Sequence, residues 1–359
     1  MSPLTIRSLA VEDLNIALNE PFGIAGGAQD LAQNLLVTVE LADGTRGYGE
    51  AAPFAAFNGE TQAMARAAIH AARSALEGAD AREWRPIAAA LRAAHAVGSA
   101  RCAVETAVLD ALTRAQRMPL WVFFGGAGTT LITDMTVTTG TVEQAAVAAR
   151  NIRARGITMI KVKVGGASVP EDVERVAAIV AAAPGAPLIL DGNGGMTPDD
   201  AMQLMSLLHA RGIVPALLEQ PVGKDELHGL RELTRLSGAP TAADESAASA
   251  ADVLRLAADR IVNYINIKLM KGGVVEALDI AAVARAGGLG LMIGGMVESS
   301  LAMTMSACFA AGQGGFRFVD LDTPLFLADE PLTGGMRYNG ETIDLGHIVA
   351  GHGVTPRGV

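Results

Sequence analysis

The chain contains five lysines, at 161, 163, 224, 268 and 271, against 23 arginines. Lysine can lose its proton at accessible pH and arginine cannot, so a lysine placed inside a strand points to chemistry. In "MIKVKVGG", residues 159–166, Lys161 and Lys163 stand two apart in an apolar, β-branched run. Strand alternation puts both on one side, where like charges repel and each is costly to bury. A second strand-like run, "NYINIK", ends on Lys268. Other such runs end on acids. "PLILD" ends on Asp191, with Asn193 after it, "PALLE" on Glu219, "PTAAD" on Asp244 followed by Glu245, and "FRFVD" on Asp320 with Asp322 two further on. Three hard oxygen donors on neighbouring strand ends suit Mg2+. Lysines on either side of such a metal suit a pair of acid/base groups working on opposite faces of one carbon. A metal and the Lys161 ammonium would both disfavour the charged form of Lys163, preparing it as a base. Lys161 could also hold a substrate carboxylate oxygen, and the metal would stabilise charge that develops on that carboxylate when an adjacent proton leaves.

Such groups act together only if the strand ends meet. From about residue 132, strand-like runs alternate with helical ones, one unit per roughly 25 residues. The strands centre on "MTVTT", "MIKVKV", "PLILD", "PALLE", "PTAAD", "NYINIK", "LGLMI" and "FRFVD". Helical runs such as "TVEQAAVAARNIRARG" and "PEDVERVAAIVAAA" fill the seven gaps. This pattern predicts an α/β fold, a (β/α)7β TIM-like barrel without a full eighth helix; a doubly wound open sheet is the runner-up. In a ring of eight, strands three to five are neighbours, so Asp191, Glu219 and Asp244 converge. Strands two and six lie opposite, so Lys163 faces Lys268. Strand eight lies opposite four, which puts Asp320 and Asp322 across the mouth from Glu219. Two unpaired carboxylates there call for a cation such as an ammonium.

Residues before 125 read differently. "NLLVTVELADGTRGYGEAAP" predicts a hairpin around "ADGT". A helical stretch from Glu60 to Arg117 is expected to break at Pro86 and Gly98, and "FFGGAG" marks a boundary. After Asp322 the chain turns Pro/Gly-rich and is expected to return over the first unit.

Composition excludes several classes. The net charge is −10 and no run of Lys or Arg occurs, so nucleic acid is not an expected partner. Cys102 and Cys308 lie far apart in helix-like apolar surroundings, which predicts reduced thiols and a cytoplasmic location. The start of the chain lacks the basic-then-apolar pattern of a secretion signal. "GLGLMIGGMVESSLAMTMSACFAAG" is the most apolar stretch, but Glu298 and its glycines predict a buried strand–helix pair and no membrane span. No histidine ends a predicted strand. "GGAGTT" and "KVGGAS" lack phosphate-loop spacing. Lys224 and Lys271 fall beyond strand ends and are expected to be solvated.

The motifs "KVKVGG", "LILDGNGG", "LLEQPV", "TAADES" and "INIKLMKGG", in this order, resemble the enolase superfamily, muconate-lactonising-enzyme subgroup. "EPFGIAGGAQ" and "GYGEAAP" are similar to that family's capping-domain loops. The resemblance implies an α+β capping domain, 1–125 with a C-terminal return at 325–359, and a catalytic barrel, 126–324. It implies Asp191, Glu219 and Asp244 as ligands of one Mg2+, with Mn2+ able to substitute. It implies Lys163 and Lys268 as the two bases, Lys161 as electrostatic helper, and Asn193 and Glu245 as supporting groups. "FVDLDTP" is similar to the Asp-x-Asp signature of the dipeptide epimerases, which bind the peptide amine there. By the same resemblance Thr136, Met296 and Glu298 join Lys161, Asp320 and Asp322 around a small-molecule dipeptide, inverted at its C-terminal residue. N-acylamino-acid racemases and cycloisomerases of the subgroup are the alternatives, with a non-catalytic metal-bound carboxylate-binding barrel as the alternative from another class. A homo-oligomer is within the range of such proteins. One departure stands out: Ala-Glu epimerases place an arginine where this chain has Gly26, which argues for uncharged side chains in the substrate.

Overall fold

A computed structural model describes residues 2–24 and 26–358; Ala25, in the loop "EPFGIAGGAQ", lies outside them. Ile6–Ile24, Gly27–Leu41 and Arg46–Ala51 form a three-stranded antiparallel sheet, with the expected turn at Ala42–Thr45. Asp43 closes that turn by accepting from the Thr45 N–H at 2.8 Å. Helices Gln62–Leu76, Trp84–Ala94 and Gly98–Ala115 cover one face of the sheet. The expected break at Pro86 is not there. The chain breaks instead at 77–83, and Pro86 sits in the first turn of the second helix, where a missing N–H costs nothing. Close approach explains Gly49: a Cβ there would lie 1.9 Å from the Ala103 carbonyl oxygen, so the third helix lies directly on the sheet.

Eight short parallel strands follow: Met135–Val137, Ile160–Lys163, Leu188–Asp191, Leu217–Glu219, Thr241–Ala243, Tyr264–Ile267, Gly290–Ile293 and Phe316–Val319. They pair in chain order. Seven helical crossovers join them. Several start on side-chain caps: Thr141, Thr197 and Ser249 each accept from a backbone N–H in the first turn. The seam between the first and last strands excludes the doubly wound alternative, in which those strands would be apart. Across it the Asp134 N–H donates to the Val319 carbonyl at 2.9 Å. The Thr136 N–H donates to Asp322 Oδ2 at 2.7 Å, and the Leu321 N–H to Thr133 Oγ1 at 3.1 Å. Side chains thus supply part of the ladder that closes the barrel. Ile189, Leu217, Ala242, Met292 and Phe318 pack inside as its floor.

"GLGLMIGGMVESSLAMTMSACFAAG" is a strand, Gly290–Ile293, and a helix, Ser300–Gln313. Among the described residues no helix is long and apolar enough to cross a membrane. Cys102 and Cys308 are free and buried. After Asp322 the chain adds four short strands: Arg337–Asn339 and Thr342–Asp344 beside Thr130–Ile132, and Leu332–Gly334 paired with Val354–Pro356. It then reaches the helix Gly98–Ala115, where the His352 N–H donates to Asp110 at 2.9 Å.

Candidate active site

Register sets the first layer of the site. Lys163 pairs across the sheet with Asp191, and Asp191 with Glu219. Parallel strands in register carry their last residues to one end, so these side chains share one level. Lys161, one layer deeper and 1% exposed, has its Nζ 2.9 Å from Asp191, 2.8 Å from Glu219 and 2.7 Å from Asp320. The Lys163 ammonium donates to Asp191 Oδ2 at 2.7 Å. Across the barrel, Lys268 Nζ is 2.8 Å from Asp244 Oδ2, with the Phe57 ring beneath it at 4.5 Å.

Three clustered carboxylates by themselves would raise one another's pKa values, yet of these three only Glu219 is raised, by burial and by Asp191. Burial opposes the charges on Asp191 and Asp244 too, but the lysines beside them hold both below the usual carboxylate range. Reciprocally, burial disfavours the charge on Lys268, and Asp244 outweighs it, so its pKa lies above the ordinary lysine value. Depression of a base lysine therefore needs a cation in place of these ion pairs.

The remaining expected residues divide into three groups. Thr136, Lys163, Asn193, Lys268, Met296, Asp320 and Asp322 line one cavity. Phe22, Ile24, Phe54 and Phe57 from the N-terminal unit form its opposite wall. Glu245 stands behind: it accepts from Asn193 Nδ2 at 3.3 Å, and burial pushes its acid up to about 8. Glu298 does not line this cavity. Its Oε1 accepts from the Met296 N–H at 2.7 Å, so its carboxylate shapes the loop that carries Met296.

Several residues had no assigned role in the sequence and have one here. Gln220 Oε1 accepts from the Asp244 and Ser246 N–H groups, at 2.9 and 3.1 Å. Asn266 Nδ2 donates to Glu219 Oε1 at 2.6 Å. Arg175, paired with Asp172, donates to the carbonyl oxygens of Lys163 and Thr138, both at 2.9 Å, and so pins the second strand's end. Lys271 corrects the expectation of a solvated lysine. One turn of helix, Leu269–Gly272, folds it back so that its side chain is 4% exposed. Its ammonium donates to the Asp244 carbonyl at 2.7 Å, to Asp244 Oδ1 at 2.9 Å and to the Asn266 carbonyl at 2.8 Å. Lys224, by contrast, is exposed and pairs with Asp225. Substituting Lys271→Met would leave three buried acceptors unpaired. We expect Mg2+ affinity to fall about 10–100-fold, measured by calorimetric titration, as for other groups that orient a ligand. Unchanged affinity would remove Lys271 from the site.

The donors fit a divalent cation. Three buried carboxylates stand on adjacent strand ends, and the only charges against Glu219 Oε2 and Asp244 Oδ2 are lysine ammoniums, Lys161 and Lys268, each at 2.8 Å, so a cation could take the place of either contact. They are spread, however, because lysines lean between them. Among the described residues the three acids whose oxygens all lie within 4.8 Å of one another are instead Asp134, Asp320 and Asp322, at the seam.

A parallel barrel with carboxylates and lysines at its strand ends, roofed by a separate antiparallel unit, is the architecture of the enolase-type enzymes. Residues 6–125 match the family model for the mandelate racemase/muconate lactonizing enzyme N-terminal domain, and 143–358 the one for the enolase C-terminal domain-like unit. The chain belongs to this family. It is 54% identical, over 98% of its length and 99% of the relative's, to an aromatic dipeptide epimerase of Herpetosiphon aurantiacus. A mandelate racemase/muconate lactonizing enzyme structure from Roseiflexus sp. superposes with TM-score 0.95 at 63% identity, covering 100% of this chain and 99% of that one. A dipeptide epimerase of Enterococcus faecalis, solved with Mg and L-Leu-L-Tyr, superposes with TM-score 0.94 at 32% identity, covering 98% and 99%.

Proposed function

We propose that the protein is a Mg2+-dependent dipeptide epimerase that inverts the α-carbon of the C-terminal residue. The observation that carries this is the placement of Lys163 and Lys268 at the ends of strands two and six of eight, lining one cavity from opposite sides. One neutral lysine takes the α-proton from one face while the other, protonated, returns a proton to the opposite face. Asp191, Glu219 and Asp244 would hold the Mg2+, or Mn2+ in its place. When bound, the metal supplies electrostatic stabilisation to the charge that builds on the substrate carboxylate. Lys161, buried among acids that keep it charged, steadies the same carboxylate.

Asp320 and Asp322 supply the other end of the substrate site. Asp322 Oδ1 is buried without a partner. Burial, with Asp320 next to it, pushes the Asp322 acid up to about 7. A peptide ammonium would restore its charge. The wall of Phe22, Ile24, Phe54 and Phe57 supports apolar or uncharged side chains. So does the hairpin tip: a Cβ at Gly26 would lie 2.6 Å from the Ala56 carbonyl oxygen, leaving no room for an arginine in this conformation. The Herpetosiphon relative's aromatic dipeptides and the Enterococcus enzyme's L-Leu-L-Tyr support the same class. We also take residues 1–125 with 325–359 as the cap and 126–324 as the catalytic unit. Two buried free cysteines support a reducing, cytoplasmic setting.

The test is a kinetic comparison of free and N-acetyl dipeptides on the native enzyme and on Asp320→Asn/Asp322→Asn. Charge-assisted hydrogen bonds are worth roughly 1.5–3 kcal/mol each. The double substitution should therefore lower kcat/KM for free dipeptides on the order of 10²-fold or more. N-acetyl dipeptides, which lack the ammonium, should be poor substrates of the native enzyme. Equal turnover of both would favour an N-acylamino-acid racemase.

A further inference from the structure

The mechanism above leaves Asp134 without a task. It stands immediately before the first barrel strand and is 1% exposed. Its own N–H is committed to the Val319 carbonyl, at 2.9 Å, which fixes it at the seam. Neither of its carboxylate oxygens meets a hydrogen-bond donor. Those oxygens face Asp320 and Asp322, all three acids converging within 4.8 Å. Lys161, the nearest cation, donates to Asp320 Oδ2 at 2.7 Å and makes no bond to Asp134.

Three ionised carboxylates cannot share so small a buried space with one lysine. With a substrate ammonium present the pocket would hold at most two positive charges, the amine and Lys161, which Asp191 and Glu219 also share. Two carboxylates balance them, and a third must be neutral. A protonated Asp134 has one O–H and only acids in front of it, so its proton can be donated only to a neighbouring carboxylate.

We infer that Asp134 is a positioning residue: held as a neutral acid, it donates a hydrogen bond to Asp320 and fixes that carboxylate between Lys161 and the substrate amine. Burial, and then the charges of Asp320 and Asp322, also push its acid well above the usual carboxylate range. The inference deepens the amine-site reading given above and rests on it. Its sequence signal is slight, since an Asp before a strand looks like a turn residue.

Two variants and an infrared measurement test it. In substrate-free enzyme at neutral pH, the native-minus-Asp134→Asn difference spectrum should contain the C=O stretch of a protonated carboxylic acid. Absence of that band overturns the neutral-acid assignment. Asn can also donate to Asp320, so Asp134→Asn should keep KM for free dipeptides within about twofold. Asp134→Ala cannot donate. It should raise that KM about tenfold, the equivalent of one net hydrogen bond, with kcat changed less and the weak turnover of N-acetyl dipeptides unchanged. If Asn is as damaging as Ala, or if free and acetylated substrates suffer equally, the positioning role is wrong. The bound Mg2+ should number one per chain in both native enzyme and Asp134→Ala. A second equivalent lost in Asp134→Ala would make the seam cluster a cation site and overturn the proposal. Equal handling of free and N-acetyl dipeptides by native enzyme would instead overturn the amine reading, and the infrared band would still decide the state of Asp134.

Discussion

Lys163→Arg is expected to abolish epimerisation while leaving the protein folded. The Lys163 ammonium donates to Asp191 Oδ2 at 2.7 Å, and an arginine can keep that ion pair. It cannot give up its proton, so the base on one face of the substrate is lost. Positioned acid–base groups contribute about 10²–10⁴-fold, and in the proposed two-base reaction both directions of inversion pass through both lysines, so a loss near the top of that range is expected. Lys268→Ala should be equally inactive in epimerisation. In D2O, however, it should still exchange the α-proton of one stereoisomer, the one whose proton faces Lys163. The reciprocal pattern, with the other stereoisomer exchanging, is expected for Lys163→Ala. Proton exchange followed by NMR, beside chiral analysis of products, separates these outcomes. Near-native epimerisation by Lys163→Arg would rule out the two-base reading.

Removing the metal is the second large effect. Chelation should end turnover, and Mg2+ or Mn2+ should restore it. The apoprotein should nevertheless stay folded, because Lys161, Lys163 and Lys268 already neutralise Asp191, Glu219 and Asp244, the carboxylates proposed as ligands. Added Mg2+ should then raise the melting temperature, since a ligand at 100 times its Kd adds about 2.7 kcal/mol of stability. Full activity in a metal-free preparation would refute the metal requirement. Unfolding on chelation would show that the lysine–carboxylate pairs do not substitute for the cation.

Much of the fold was legible because its signals are local. Period-two alternation placed Lys161 and Lys163 on one side of a strand, and the runs ending on Asp191, Glu219 and Asp244 came in chain order. In a parallel barrel chain order is also spatial order, so these ends could be put side by side without coordinates. The cap's hairpin was legible from its turn, whereas the break misplaced at Pro86 reflects a property proline shares between helix starts and helix ends.

What the sequence by itself determined, then, is which residue types stand at which strand ends, and hence the kind of chemistry they suit. Only the tertiary structure decided which groups hold them and in what charge state. Lys271 looked solvated until one helical turn folded it under Asp244. The aromatic wall comes from Phe22, Phe54 and Phe57, more than 100 residues from the lysines they face. Asp134 gained meaning only when the seam brought it to Asp320 and Asp322. The physical reason is the same in each case. Periodicity and turn chemistry act over a few residues of backbone, whereas burial and Coulomb interaction act through space. A side chain's charge, partners and pKa are therefore set by neighbours from any part of the chain.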